Sequence, residues 1–172
     1  MSAFMKSVER SKASRGYAVA SSDSMMRRAE ERSRLTGRSL DEAAAVVVED
    51  LERAAAALST RTAPLVPACG VLVAAAGLLL KAEFSDVIGD LFLGLAVLSA
   101  VLGLSFLTRA HFIYVGRRTI GLSPAADDIA FAHDCLVRKH AYSYRGAWLA
   151  GIGLACLILG ILVGVRITLG PD

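Results

Sequence analysis

Few side chains in this chain of 172 residues have the type and spacing to do chemistry. His133 and His140 lie seven apart, on one face of a helix, and imidazoles there are candidate ligands for a transition metal. Cys135, the nearest third ligand, falls about 200° around the same helix from His133. No further Cys or His follows at ligand spacing, so the three read as helix-surface residues and no metal is expected. Asp90 is the one acid near the start of an apolar stretch. A carboxylate at membrane depth suggests a pore mouth or a proton-linked site, unless it rests at the interface where water or Lys81 satisfies it. Asp127 and Asp128 follow Pro124 in what would be a first helical turn, where acids complement the helix dipole. The sequence contains no GxGxxG, no P-loop, no nucleophile elbow and no HExxH. A non-enzymatic protein without a cofactor is the expectation.

The elements that would position these residues are apolar to an unusual degree. Hydrophobic residues make up 55% of the chain, and the mean hydropathy is +0.53. Three stretches carry no charge: Thr62 to Leu80 (19 residues), Leu91 to Thr108 (18 residues) and Gly146 to Val165 (20 residues). A hydrocarbon layer about 30 Å thick takes roughly 20 helical residues. Only helices and closed barrels satisfy their backbone in lipid, and alternating barrel strands are absent. The fold class expected is an all-α integral membrane protein with three transmembrane helices, at about 62–80, 88–108 and 146–166.

Charge sets the orientation. Eleven Lys or Arg residues precede the first stretch, and six lie between the second and third: Arg109, Arg117, Arg118, Arg138, Lys139 and Arg145. The other two faces carry only Lys81 and Arg166. The positive-inside rule makes the basic side cytoplasmic, which puts the amino terminus inside and the carboxyl terminus outside. Tyr142, Tyr144 and Trp148 fall where the third span crosses the cytoplasmic interface. The first 20 residues contain no apolar run of seven, so the first span acts as an uncleaved internal signal. Cys69 and Cys156 fall within spans and Cys135 outside them, which leaves no pair placed for a structural disulfide. The net charge of +3 follows from this sorting, and no nucleic-acid partner is needed to explain it.

The cytoplasmic part reads as helical. Residues 1–21 form a basic arm without apolar periodicity, disordered by composition and suited to anionic lipid. Within 22–61, Asp23 to Leu35 makes a short charged helix ending near Gly37. Ser39 with Glu42 forms a capping box that opens a second helix to about Thr60. Its apolar face, with Val47, Leu51 and Leu58, is a candidate partner-docking face. A second copy, the membrane surface or the other cytoplasmic helices would each cover it. Residues 109–145 predict a helical hairpin, its first arm continuing to about Ile120 and stopped by Gly121. Ser123 and Pro124 start its second arm, which runs on into the third span as one helix of about 40 residues. Gly146, Ala150, Gly153, Gly160 and Gly164 line one face of that span, and Gly160 with Gly164 makes a GxxxG pair. Gly153, Gly160 and Gly164 are the candidates for helix packing or oligomerisation.

This order resembles the small membrane effectors of bacterial nucleotide-signalled antiphage systems, the Pycsar and SLATT types. The shared features are a cytoplasmic helix carrying Leu51 to Arg61, a two-span hairpin with a short outer loop, a helix ending in Arg138, Lys139, Tyr144 and Arg145, and a closing span. The likeness covers roughly residues 50–168. It implies a nucleotide-responsive cytoplasmic region that controls oligomerisation and membrane disruption. The chain lacks a recognisable nucleotide-sensing domain, and no binding residue carries over. Two functions follow as expectations: an accessory subunit or scaffold that docks a membrane-protein partner, and an oligomeric pore-forming or membrane-disrupting effector. The lipid bilayer is the first partner of either, with a homo-oligomer or another membrane protein as the second. Abundant Ala, Arg, Gly and Val fit a bacterium of high GC content, and hence its cytoplasmic membrane.

Overall fold

Ser21 caps a helix: its hydroxyl accepts from the Ser24 amide at 3.3 Å, satisfying one of the N–H groups that a helix start leaves free. The computed structural model describes residues 21–81, 87–115 and 125–168, all of it helical apart from caps and short links. The expected arm, apart from Ser21, lies outside the described residues, as do Gly121 and the Ser123–Pro124 start signal. Five helices follow in order: α1 (Ser22–Thr36), α2 (Leu40–Thr62), α3 (Leu65–Lys81), α4 (Val87–Phe112) and α5 (Ala125–Thr168).

Local chemistry sets the boundaries. Gly37 ends α1 at φ 65°, a left-handed position open to glycine at little cost, and its N–H returns to Ser33 O at 2.9 Å. Ser33 Oγ also donates to Arg38 O at 2.8 Å and closes the turn. Ser39 Oγ accepts from the Glu42 amide at 3.2 Å, so this serine caps α2 as its spacing from Glu42 predicts. Pro64, which lacks an N–H to continue the ladder, falls between α2 and α3. At the end of α4 the structure departs from expectation: the helix stops at Phe112, and Ile113 to Val115 leave it. Val115 is buried in a core, and the Ile113 carbonyl accepts from Lys139, so tertiary partners replace the helical ones there.

Residues 1–61 and 110–141 form one unit, and residues 62–109 and 142–172 another. The first is amphipathic. Its core gathers Met25 and Ala29 from α1, the stripe from Ala44 to Ala55 on α2, Val115, and Ile129, Ala132 and Leu136 from α5. Positions 44, 47, 48, 51, 54 and 55 recur at the threes and fours of one helical face, and the alanines among them let neighbouring helices approach. Arg32 reaches Asp50 at 3.1 Å, tying α1 to α2.

The second unit has an apolar core. Cys69, Leu72 and Ala76 of α3, Leu93, Ala96, Ala100 and Leu107 of α4, and Ala150 and Leu157 of α5 make its core. Large apolar side chains such as Leu78, Leu91, Leu98, Ile152 and Leu162 are exposed around it, the reverse of a water-facing surface. Three helical stretches are long and apolar enough to cross a membrane: one within the run Leu40–Lys81, one in Val87–Phe112 and one in Asp127–Val165.

Candidate functional site

Three arrangements in the structure bear on function: a glycine seam, a groove rimmed by charge and a buried ammonium. The seam joins α4 to α5. On α5, Gly146, Ala150, Gly153, Leu157 and Gly160 recur at alternating fours and threes; on α4, Leu93, Ala96, Ala100, Gly103 and Leu107 do the same. That mean repeat of about 3.5 is the one that keeps two helices in register along a left-handed seam. Approach is close. A β-carbon on Gly153 would stand 3.2 Å from Ala96 O, and one on Gly103 would stand 3.2 Å from Gly146 O. One on Gly160 would meet Leu93 Cδ2 at 2.9 Å. Gly164 is buried as well. Gly153, Gly160 and Gly164 are therefore turned inward, and the first two pack against α4 of the same chain. Of the two roles expected for this face, helix packing or oligomerisation, packing within the chain is the one seen at Gly153 and Gly160.

The stripe expected as a docking face is covered within the chain at two of its three positions. Val47 is 3% exposed and Leu51 is 0% exposed, both inside the core that α1, α2 and α5 build. Leu58, further along α2, is partly buried and partnered. Of the three covers expected for the stripe, the chain's own helices are the one seen at Val47 and Leu51.

What α1 and α2 do leave open is a groove of about 320 Å³ lined by Arg28, Glu31, Arg32, Leu35, Val47 and Asp50. Val47 forms its apolar floor, the Arg32–Asp50 pair crosses it, and Leu35 stands 78% exposed at its rim. Arg53 adds a second guanidinium to Asp50 at 3.4 Å and also pairs with Glu49. Two guanidiniums and two carboxylates around an apolar floor suit a polypeptide segment carrying charges of both signs.

The third arrangement is Lys139, only 7% exposed. Its ammonium donates to Ile113 O at 3.3 Å, just beyond the end of α4, where helix carbonyls concentrate negative potential. Burial pushes its pKa below the usual lysine range. It continues the inward stripe Ile129, Ala132, Leu136 by a further three residues, and that register was the sequence signal for a buried lysine.

The remaining candidates separate. Asp90 sits partly buried and partnered in the first turn of α4, where its carboxylate complements the helix dipole. Asp127 and Asp128 lie in the first turn of α5. Among the described residues no three His, Cys, Asp or Glu side chains gather to hold a metal, and His133, Cys135 and His140 do not converge on one point. Burial and the neighbouring Asp134 carboxylate push the Cys135 thiol up, against a smaller opposing pull from Arg138. All three cysteines are free thiols. Compared with protein-family models, with curated proteins and with solved structures, the chain matches none.

Proposed function

We propose that the chain is a non-enzymatic, three-span protein of the bacterial cytoplasmic membrane that serves as an accessory subunit or scaffold, presenting its amphipathic helical unit to the cytoplasm. The observation that carries this reading is the division of the fold into two cores. One has the surface of a body dissolved in lipid, while the other closes on its own helices under a charged exterior, as a recognition module does. The groove between α1 and α2, with Leu35 exposed at its rim, is where a partner segment would dock, since Leu51 is already covered. The basic balance supports this unit's lying inside, with the carboxyl terminus outside.

A photo-crosslinking residue in place of Leu35, read in cells alongside membrane potential, tests the proposal. It predicts a protein adduct at position 35, lost on Asp50→Arg, with the potential unchanged on induction. Rapid depolarisation without an adduct would instead favour the oligomeric, membrane-disrupting effector. One observation speaks for that second reading: Gly70, Ala74 and Gly77 of α3 lie exposed, and neither glycine has a neighbour within 4 Å of a built β-carbon. Helices in lipid associate through such small-residue faces.

A further inference from the structure

On the outer face of α5, turned away from the glycine seam, runs a second track with different chemistry. Ala147, Gly151 and Ala155, four apart, form the floor of an open groove of about 440 Å³, and Tyr144, Trp148 and Ile152, also four apart, form its wall. A β-carbon on Gly151 would meet nothing within 4 Å, so no contact inside the fold calls for this glycine, whereas Gly146, Gly153 and Gly160 are explained by α4. Tyr144 and Trp148 stack edge to face, ring centroids 6.1 Å apart, and hold the wall upright.

The groove's lining is apolar except for the Tyr144 hydroxyl, and the cation beside it comes from outside the lining. At its Tyr144 end stands a phenol hydroxyl, with Arg145 next in sequence. Arg145 is exposed and enters no ion pair among the described residues. Toward Ala155 the lining is apolar. From Tyr144 to Ala155 the helix rises about 16 Å, close to the depth of one leaflet of a hydrocarbon core about 30 Å thick. A guanidinium is always charged and meets phosphate oxygens in a bidentate fork. A hydroxyl at one end of an apolar groove one leaflet long, with an exposed guanidinium on the adjacent residue, matches a phospholipid with a net negative headgroup.

We propose that this groove binds one anionic phospholipid of the cytoplasmic leaflet. An acyl chain lies along Ala147, Gly151 and Ala155 against Trp148, and the phosphate is held by Arg145 and the Tyr144 hydroxyl. The inference rests on the membrane register proposed above. It goes beyond that reading by giving the outer face of α5 a ligand of defined charge.

The test is native mass spectrometry of the full-length protein, delipidated in mild detergent and supplied with equal amounts of phosphatidylglycerol and phosphatidylcholine. The expected result is one phosphatidylglycerol retained per chain in preference to phosphatidylcholine. That preference is lost in Arg145→Gln, which removes the charge, and retention itself is lost in Gly151→Ile, which fills the trench. Gly151→Ile should fold, because its side chain points into open space; Arg145→Gln tests the site independently if it does not. Leu102→Phe, on an exposed face of α4, should leave binding unchanged. Equal retention of both lipids, or unchanged retention in both groove variants, would overturn the proposal. So would a two-chain mass that Gly151→Ile abolishes, which would assign the groove to a second copy. Alkaline carbonate extraction of the same membranes reads insertion separately: release of the chain defeats the membrane reading, whereas lipid indifference in a retained chain defeats only the site.

Discussion

The ammonium of Lys139 donates to the carbonyl of Ile113 at 3.3 Å, across 26 residues of sequence, and is buried with only 7% of the residue exposed. A charged group is thereby kept in a helical core by the carbonyl-rich end of α4. Burial lowers its pKa, so between the folded value and the ordinary lysine value the unfolded chain binds the proton that the folded chain has lost. Stability therefore rises with pH through that window, and the desolvation cost is fully present below it. In Lys139→Met this rise should vanish, while stability near pH 7 changes little or increases, because an apolar side chain of similar length removes the buried charge. Thermal unfolding of both proteins in nanodiscs from pH 7 to pH 11 reads the difference in slope.

The core of the amphipathic unit gives a prediction opposite to that of a docking surface. Leu51 is fully buried, and truncation to alanine should destabilise this unit by about 2–5 kcal/mol through lost transfer energy and a residual cavity. Val47→Asp should be worse, since it buries an unpaired carboxylate. Hydrogen exchange of α1 and of residues 125–141 should quicken in both variants. A loss of partner binding with unchanged exchange would contradict the placement of these two residues.

Along the glycine seam, Gly153→Leu forces a side chain against the α4 backbone near Ala96 O, and overpacking of this kind typically costs about 1–3 kcal/mol. Gly94→Leu, where a β-carbon meets nothing within 4 Å, should be tolerated. Unfolding in sodium dodecyl sulfate titrations, followed by near-ultraviolet circular dichroism at Trp148, should rank the two in that order.

Cys135 should be a slow thiol. Its pKa is raised by burial and by Asp134, so its thiolate fraction at pH 7.5 lies below that of an exposed cysteine, and the alkylation rate should keep climbing with pH beyond the usual thiol range. Asp134→Asn should lower that pKa and speed alkylation at pH 7.5. Rates on a variant in which Cys69 and Cys156 are alanine, measured against a cysteine placed at the exposed Leu35, check both statements.

The sequence exposed some levels of this structure and concealed others. Local signals were legible because their causes are local: Gly37 stops α1 and Ser39 starts α2 through hydrogen bonds within five residues. The three uncharged runs reappear as helices long and apolar enough to cross a membrane, since length and composition decide that property. What covers each face was hidden, because it depends on contacts far apart in sequence. Val47 and Leu51 show the correct stripe, but only the fold shows that α1 and the 129–136 stretch of α5 occupy it. Gly160 and Gly164 make a motif that serves pairing within a chain or between chains, and the fold shows Leu93 packed on Gly160. Lys139 reads as one more topological charge until its place on the Ile129–Leu136 stripe is noticed. The groove under Arg32 and Asp50 needs two helices and had no sequence signature.

The central claim is a chain crossing the membrane three times with its amphipathic unit inside. Thiol labelling from outside intact cells tests it most directly, with Cys69, Cys135 and Cys156 replaced by alanine and single cysteines placed at Ser39, Ser85, Ser123 and Pro171. The account predicts that an impermeant maleimide labels positions 85 and 171 in intact cells and labels 39 and 123 only after permeabilisation. Labelling of 39 or 123 from outside would contradict the orientation, and recovery of the chain in the soluble fraction would contradict membrane insertion itself.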